Sequence, residues 1–461
     1  MKRHSKDVVL VGICMLLWVA NLPAQAPDTL WTRIYGGIYV DVGFSVQQTL
    51  DGGYIITGYT ESFGAGSTDL WLLKTYANGD TVWTKSYGGT GLEEGRSVQQ
   101  TLDGGYIITG STESFGAGAS DVWLLKTTAN GDTVWAKTYG GGSVDYSLSV
   151  QQASDSGYIV AGATRSFGVG SDDVYLIKVN ADGTPLWTNT YGGIGSDYGQ
   201  SIQQTSDGGY IVAGRTMSFG PGISNVYLIK TDANGDTMWT KTYGEAGHLA
   251  VGFSVKQTSD QGYIIAGCIT SGPGQTYGYL IKTDTIGDTL WTKQYGEGGD
   301  YDWLVSVQQT SDEGYIVAGF TDSQGAGSLD VWLIRTYVNG DTIWTQTYGG
   351  TSDEAGYSLQ KTSDEGYIIV GATNSSGAGS DDLWLIKTEP DTLGIREQEV
   401  TTEKSGNFGT TIFGEELLLP EGKKCRVFDI TGRAVMPDRI GPGIYFIEFD
   451  GQIARKVVKT R

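Results

Sequence analysis

Residues 26–37 read APDTLWTRIYGG, and from Asp28 onward this is the tail of a unit that recurs along the whole chain. Later copies include DTVWTKSYGG (80–89) and DTIWTQTYGG (341–350). Each of those follows a longer motif, whereas the first copy follows only a hydrophobic leader. A chain that begins on the last piece of its own repeat suggests a ring closed by joining its two ends.

The repeat is regular. The tyrosine of a GYI motif stands at Tyr54, Tyr106, Tyr158, Tyr210, Tyr263, Tyr315 and Tyr367, at a spacing of 52 residues with one interval of 53. The tryptophan of the DTxW motif also occurs seven times, from Trp31 to Trp344, and so does a third aromatic series from Trp71 to Trp384. Each unit holds four strand-like runs, as in SIQQT, YIVAGRT, VYLIKT and TMWTKTY within 201–243. Short turns of the SDGG and NGD types join the first to the second run and the third to the fourth. Four antiparallel strands at this period predict a propeller blade. The third run is apolar on both faces, as expected of a sheet held between two neighbours. The recurring aromatics are accordingly read as wedge filling between blades.

The first unit lacks its first three strands and the seventh lacks its fourth, since Gly394 stands where tryptophan is expected. The sequence therefore predicts an all-β fold: a seven-bladed propeller over 27–394, its last blade completed by DTLWTRIY (28–35), followed by a small C-terminal β-sandwich. Closure in this way removes the sheet edges that invite aggregation.

Composition bounds the rest. The 461 residues include 71 glycines and carry a net charge of −21. Lys2, Arg3 and Lys6, the apolar run VVLVGICMLLWVA (8–20) and AQA (24–26) read as a signal peptide over 1–26, with a retained membrane anchor as the competing reading. Its loss removes three basic residues and one acidic one and leaves −23. So acidic a chain argues against nucleic acid as a partner. Beyond the leader the cysteines are Cys268 and Cys425, which imply no disulfide framework, and the lone histidine is His248.

The longer loops fall on one face, the better location for a site. Thirteen residues before each GYI tyrosine come Asp41, Glu93, Asp145, Asp197, Ala250, Asp302 and Glu354. Such carboxylates could bind calcium or a cationic ligand. The alternative is that each accepts hydrogen bonds within its own loop. A second acidic series, from Asp69 to Asp382, behaves similarly. Both series lapse in the fifth unit, which also carries His248, Cys268 and SGPGQTYGY (271–279) and lies before Asp300, Tyr301, Asp302 and Trp303.

The order YGG, SVQQT, DGGYIVAG, DVWLIK and GDTxW resembles the secreted bacterial SBBP-type propeller repeats over about 28–394. That resemblance implies an extracytoplasmic propeller without a shared catalytic set. GDTxW is also similar to quinoprotein propeller repeats. After 394 the composition changes, with a polar linker expected over 395–414. VFDITGRAV, GIYFIEF and KVVKTR (415–461) resemble the C-terminal sorting domain of type IX secretion substrates, through Asp429, Gly432, Arg433, Gly443 and Tyr445. The resemblance implies recognition by secretion machinery at the outer membrane; a generic immunoglobulin-like appendage is the plainer reading. The expectation is a monomeric extracellular or cell-surface binding or structural protein with a glycan or protein ligand and no cofactor unless calcium. An extracellular enzyme, glycan-active or quinone-dependent, is the alternative.

Overall fold

The computed structural model describes residues 25–391 other than 273 and 300, together with 411–413, 425–429, 434–435, 443–449 and 452–459. All but the last two residues of the expected leader lie outside this set. Among the described residues no helix is long and apolar enough to cross a membrane.

The four runs of each unit form four antiparallel strands. In the first blade Asp41–Gln48, Tyr54–Thr60, Asp69–Thr75 and Thr81–Tyr87 pair in that order. Turn chemistry sets the first connection. Gly52 adopts φ +82°, its N–H reaches Thr49 O at 2.8 Å, and Thr49 N–H reaches Gly53 O at 2.9 Å. The third strand is buried at all seven residues, whereas the fourth alternates between exposed and half-buried positions. Burial therefore decreases outward, as expected for blades stacked around an axis.

The core is seven apolar clusters, each shared by two blades. Ile55, Leu70 and Leu72 of the first blade meet Val98, Tyr106 and Trp123 of the second. At each junction the tryptophan of the outer strand meets the GYI tyrosine of the next blade, edge-on in six cases and tilted between Trp344 and Tyr367. Trp83 and Tyr106 lie 6.0 Å apart at 60°, and Trp31 and Tyr54 lie 5.9 Å apart at 64°.

The polar residues of the repeat hold its turns. Lys126 is buried beneath the turn of its own blade, 3.0 Å from Asp103 Oδ2 and 3.0 Å from Thr127 O. The same pairing recurs in every blade, with Arg335 replacing lysine in the sixth.

Ring closure occurs as the sequence predicts. Glu354–Lys361, Tyr367–Thr373 and Asp382–Thr388 form a sheet whose fourth strand is Thr29–Tyr35, with Thr32 opposite Ile386 and Tyr35 opposite Leu383. The junction leaves a local mark. Elsewhere the tyrosine ending each fourth strand donates to the hairpin of the next blade, as Tyr139 Oη does to Gly183 O at 2.6 Å. The seventh blade has no hairpin between its third and fourth strands, and among the described residues the buried Tyr348 Oη has no partner. Asp391 occupies this region, 3.2 Å from Arg335 Nε and hydrogen-bonded to Tyr367 Oη.

The chain divides into Met1–Ile395 and Arg396–Arg461. The described strands of the second unit form one five-stranded sheet in the order 411–413, 452–459, 443–449, 425–429, 434–435. Its first pair is parallel and the rest are antiparallel. The segment expected as a linker thus contributes a short strand, Thr411–Phe413, whose β-branched Thr and Ile suit pairing. The strand-like run ELLLP (416–420) lies outside the described residues.

Candidate functional site: the axial channel

The first strands of all seven blades line the axis, and SVQQT is the motif that joins them. Each serine Oγ accepts a hydrogen bond from a backbone N–H of the next blade's first strand, at 3.2–3.4 Å around the full ring. The first glutamine does the same two residues on, as in Gln152 N to Gln99 Oε1 at 2.6 Å. The second glutamine reaches the turn of the preceding blade, as in Leu50 N to Gln100 Oε1 at 2.9 Å. The motif is therefore an inter-blade fastener, which explains why the repeat retains it.

Just before the serine, every first strand carries a β-bulge. Register slips between Gly43 and Ser45 in the first blade and at the equivalent place in the other six. The extra residue turns toward the axis, a common use of bulges beside functional sites. These residues are Phe44, Arg96, Leu148 and Gln200, then Phe253, Val305 and Tyr357. Unlike their neighbours they differ from blade to blade. They surround a cavity of about 310 Å³.

One side of that cavity is aromatic. Phe253 and Trp303 are stacked at 5.2 Å and 21°, Trp303 lies 5.4 Å from Phe320, and Phe320 lies 6.3 Å from Tyr357. Tyr357 continues to Phe44 at 5.2 Å, and Arg96 places its guanidinium 4.1 Å from the Phe44 ring centre. Blades five, six, seven and one thus supply a continuous arc. Away from the arc the cavity is lined by Leu148 and Gln200. A larger open cleft of about 510 Å³ lies between the third and fourth blades. It is lined largely by residues that recur in the repeat, such as Tyr175, Tyr191 and Gly235, with Asn189 standing where other blades carry lysine, arginine or glutamine.

The six carboxylates Asp41, Glu93, Asp145, Asp197, Asp302 and Glu354 begin the first strands, except that Asp302 stands one residue before its strand. All are at most 1% exposed, and none lines the cavity. Each accepts hydrogen bonds from its loops. Asp145 Oδ2 takes Gly141 N–H at 2.8 Å and Ser166 Oγ–H at 2.6 Å, and Glu354 takes Gly350 N–H, Thr373 Oγ–H and Ser375 N–H. Burial acts to raise the Glu354 pKa, but these donors outweigh it and hold the carboxyl below its usual range. The second series closes the other long loop, with Asp121 Oδ2 accepting from Ala117 and Gly118 N–H. The two series converge on the first glycine of each YGG. A methyl group on Gly140 would lie 2.1 Å from Asp121 Oδ1 and 2.6 Å from Asp145 Oδ2.

In the fifth blade the long loop becomes an extended hairpin of Tyr263–Gly272 and Gln275–Thr283. His248 Nδ1 contacts Thr270 O there. Cys268 is buried, and burial pushes its thiol up to about 12 against the opposing charge of Arg215. Of the second unit's motif, Asp429 ends a strand opposite Tyr445, and Gly443 begins the next strand. Gly432 and Arg433 lie outside the described residues.

Sequence reasoning singled out the long-loop face and Trp303 but missed the bulged residues. The available signal was that the residues one and three after the carboxylate vary from unit to unit, inside an otherwise repetitive strand.

No known family matches the chain. The regulatory protein FlaEY of Caulobacter vibrioides is 26% identical over 230 residues, which are 43% of this chain and 24% of that protein. The chain thus matches only about a quarter of that relative's length. Among solved structures, streptogramin B lyase is similar at 13% identity and TM-score 0.47, over 78% of this chain and 98% of its own. A protein of unknown function from Dyadobacter fermentans is similar at 12% and 0.43, over 78% and 99%. The extracellular domain of the two-component protein BT3049 of B. thetaiotaomicron is similar at 10% and 0.42, over 93% and 49%.

Proposed function

We propose that this β-propeller repeat protein is an extracellular, non-enzymatic binding module whose ligand docks on the aromatic arc at the channel. The observation that carries this reading is the ring of bulged residues. Selection for blade structure alone would repeat them, as it repeats the serine beside them. Instead, together with Trp303 and Phe320, they build a one-sided aromatic surface with a cation at its end. Such a surface fits a flat apolar face, either a sugar ring of a glycan or an aromatic side chain of a protein ligand. The test is a panel of glycans and peptides against the full chain, with Trp303→Ala and Arg96→Ala. Loss of binding by at least tenfold in Trp303→Ala supports the arc. Binding unchanged in both variants refutes it.

The leader and the C-terminal unit support an export route, with the C-terminal unit read by secretion machinery at the outer membrane. Residues 395–461 fused to a periplasmic reporter should carry it to the surface in a host with type IX export. A reporter retained in the periplasm counts against this route.

Calcium between the paired carboxylates is a second reading. It is favoured by Oδ1 of Asp41, Asp145, Asp197 and Asp382, which are buried and lack a hydrogen-bond partner among the described residues. A calcium-dependent rise in unfolding temperature that Asp145→Asn reduces supports the cation. No calcium response at pH 7 counts against it.

A further inference from the structure

Below the bulged residues the channel continues as a tube of about 210 Å³, walled by the serine and glutamine rings. The hydrogen bonds that fasten the blades also polarise this wall. Each glutamine of the ring directs its Oε1 to a backbone N–H of the next blade, which fixes the amide orientation, because a donor cannot face a donor. The Nε2 donors of Gln47, Gln99, Gln151, Gln203 and Gln360 have no protein acceptor among the described residues. The serine oxygens are likewise engaged as acceptors, which leaves hydroxyl protons to turn toward the axis. The lumen is therefore rich in donors and poor in free acceptors.

Into this ring the fifth blade places Lys256 where the others have glutamine. The substitution has a structural cost: with no Oε1 at 256, Gln309 N–H loses the acceptor that its counterparts Gln257 and Lys361 have. It also adds a cation with no acidic partner among the described residues. The side chain is half-buried, since a narrow tube still admits water, yet protein surrounds it and lowers its proton affinity through desolvation. A lysine Nζ, a donor in either protonation state, set in a ring of amide and hydroxyl donors is complementary to negative charge.

We propose that the lower channel is an anion site, in which a small oxyanion of the sulfate or phosphate class binds Lys256 Nζ and the Nε2 groups of neighbouring glutamines. This site is separate from the aromatic arc and does not depend on the ligand proposed there.

The test is thermal unfolding of the full chain with sodium sulfate or phosphate against sodium chloride at matched ionic strength, in wild type, Lys256→Gln and Lys256→Met. Lys256→Gln restores the repeat residue and the bond to Gln309, so it should fold. Lys256→Met keeps an unbranched side chain without charge. At saturating oxyanion the wild type should gain about 2 °C or more over both variants. Crystals soaked in selenate should show an anomalous peak beside Lys256 in the wild type and none in Lys256→Gln. Equal thermal shifts in all three proteins, or the absence of a peak in the channel, overturns the proposal.

Discussion

Replacing Trp31 with alanine tests the ring closure. Trp31 comes from the N-terminal strand, half-buried, and packs edge-on against Tyr54 at 5.9 Å, in the cluster that joins blades seven and one. Truncating a fully buried tryptophan costs about 3–5 kcal/mol, and an aromatic edge contact accounts for about 0.5–1.5 of that. Half-burial lowers the expected cost to about 2–3 kcal/mol. If closure opens locally, that cost is a roughly 30- to 150-fold rise in the opening equilibrium, at tenfold per 1.4 kcal/mol. Hydrogen exchange read by mass spectrometry should show it in Thr29–Tyr35 and Asp382–Thr388. Trp135→Ala provides the control, because Trp135 makes the same contact with Tyr158 at 6.0 Å inside the array. Its effect should centre on the second and third blades and leave Asp382–Thr388 protected. Loss of protection over 41–87 in Trp31→Ala, with Asp382–Thr388 unchanged, would refute assignment of the first strand to the last blade.

Three further outcomes follow from the loops and the core. Gly140→Ala should destabilise by about 1–3 kcal/mol, because its methyl group meets two carboxylates, whereas Gly142→Ala, with nothing within 4 Å of the added carbon, should be nearly neutral in denaturant titration. Burial acts to raise the pKa of Asp51, Asp103 and Asp155, but hydrogen bonds and the charge of the buried lysine beneath each turn lower it overall. A depressed folded pKa means that this stabilisation is present above the ordinary value of 3.8 and is lost as pH falls through the lower folded value. The unfolding midpoint should therefore drop below about pH 4, and a triple Asp→Asn variant should show a shallower fall; these turn carboxylates are half or more exposed, so each contributes little alone. Cys268, buried and with its thiol raised to about 12, should resist alkylation at pH 8 until the chain is unfolded, as measured by mass shift with and without denaturant.

Much of this architecture was legible in the chain alone. A 52-residue period with four strand-like runs and turn residues at fixed offsets specifies blades, because every unit must bury the same two faces. The displaced DTLWTRIY specified the closure, because a strand needs a partner and the seventh unit lacked one. The acidic series could also be read as loop-closing groups, and the structure shows those hydrogen bonds.

The channel was not legible in the same way. Phe44, Arg96, Phe253 and Tyr357 stand far apart along the chain, and in a linear reading each is one variable position in a permissive repeat. A strand's two-residue alternation does not say where a bulge interrupts it, and the bulge is what turns these side chains inward. Lys256 carries the same lesson, since a lysine for glutamine in one unit of seven reads as drift. The ring brings it to the axis, where the neighbouring strands have already engaged the acceptors around it. Local pattern thus determined the blades and their closure, while only the tertiary ring decided what meets at the centre, because proximity there arises from rotation about a common axis and not from sequence spacing.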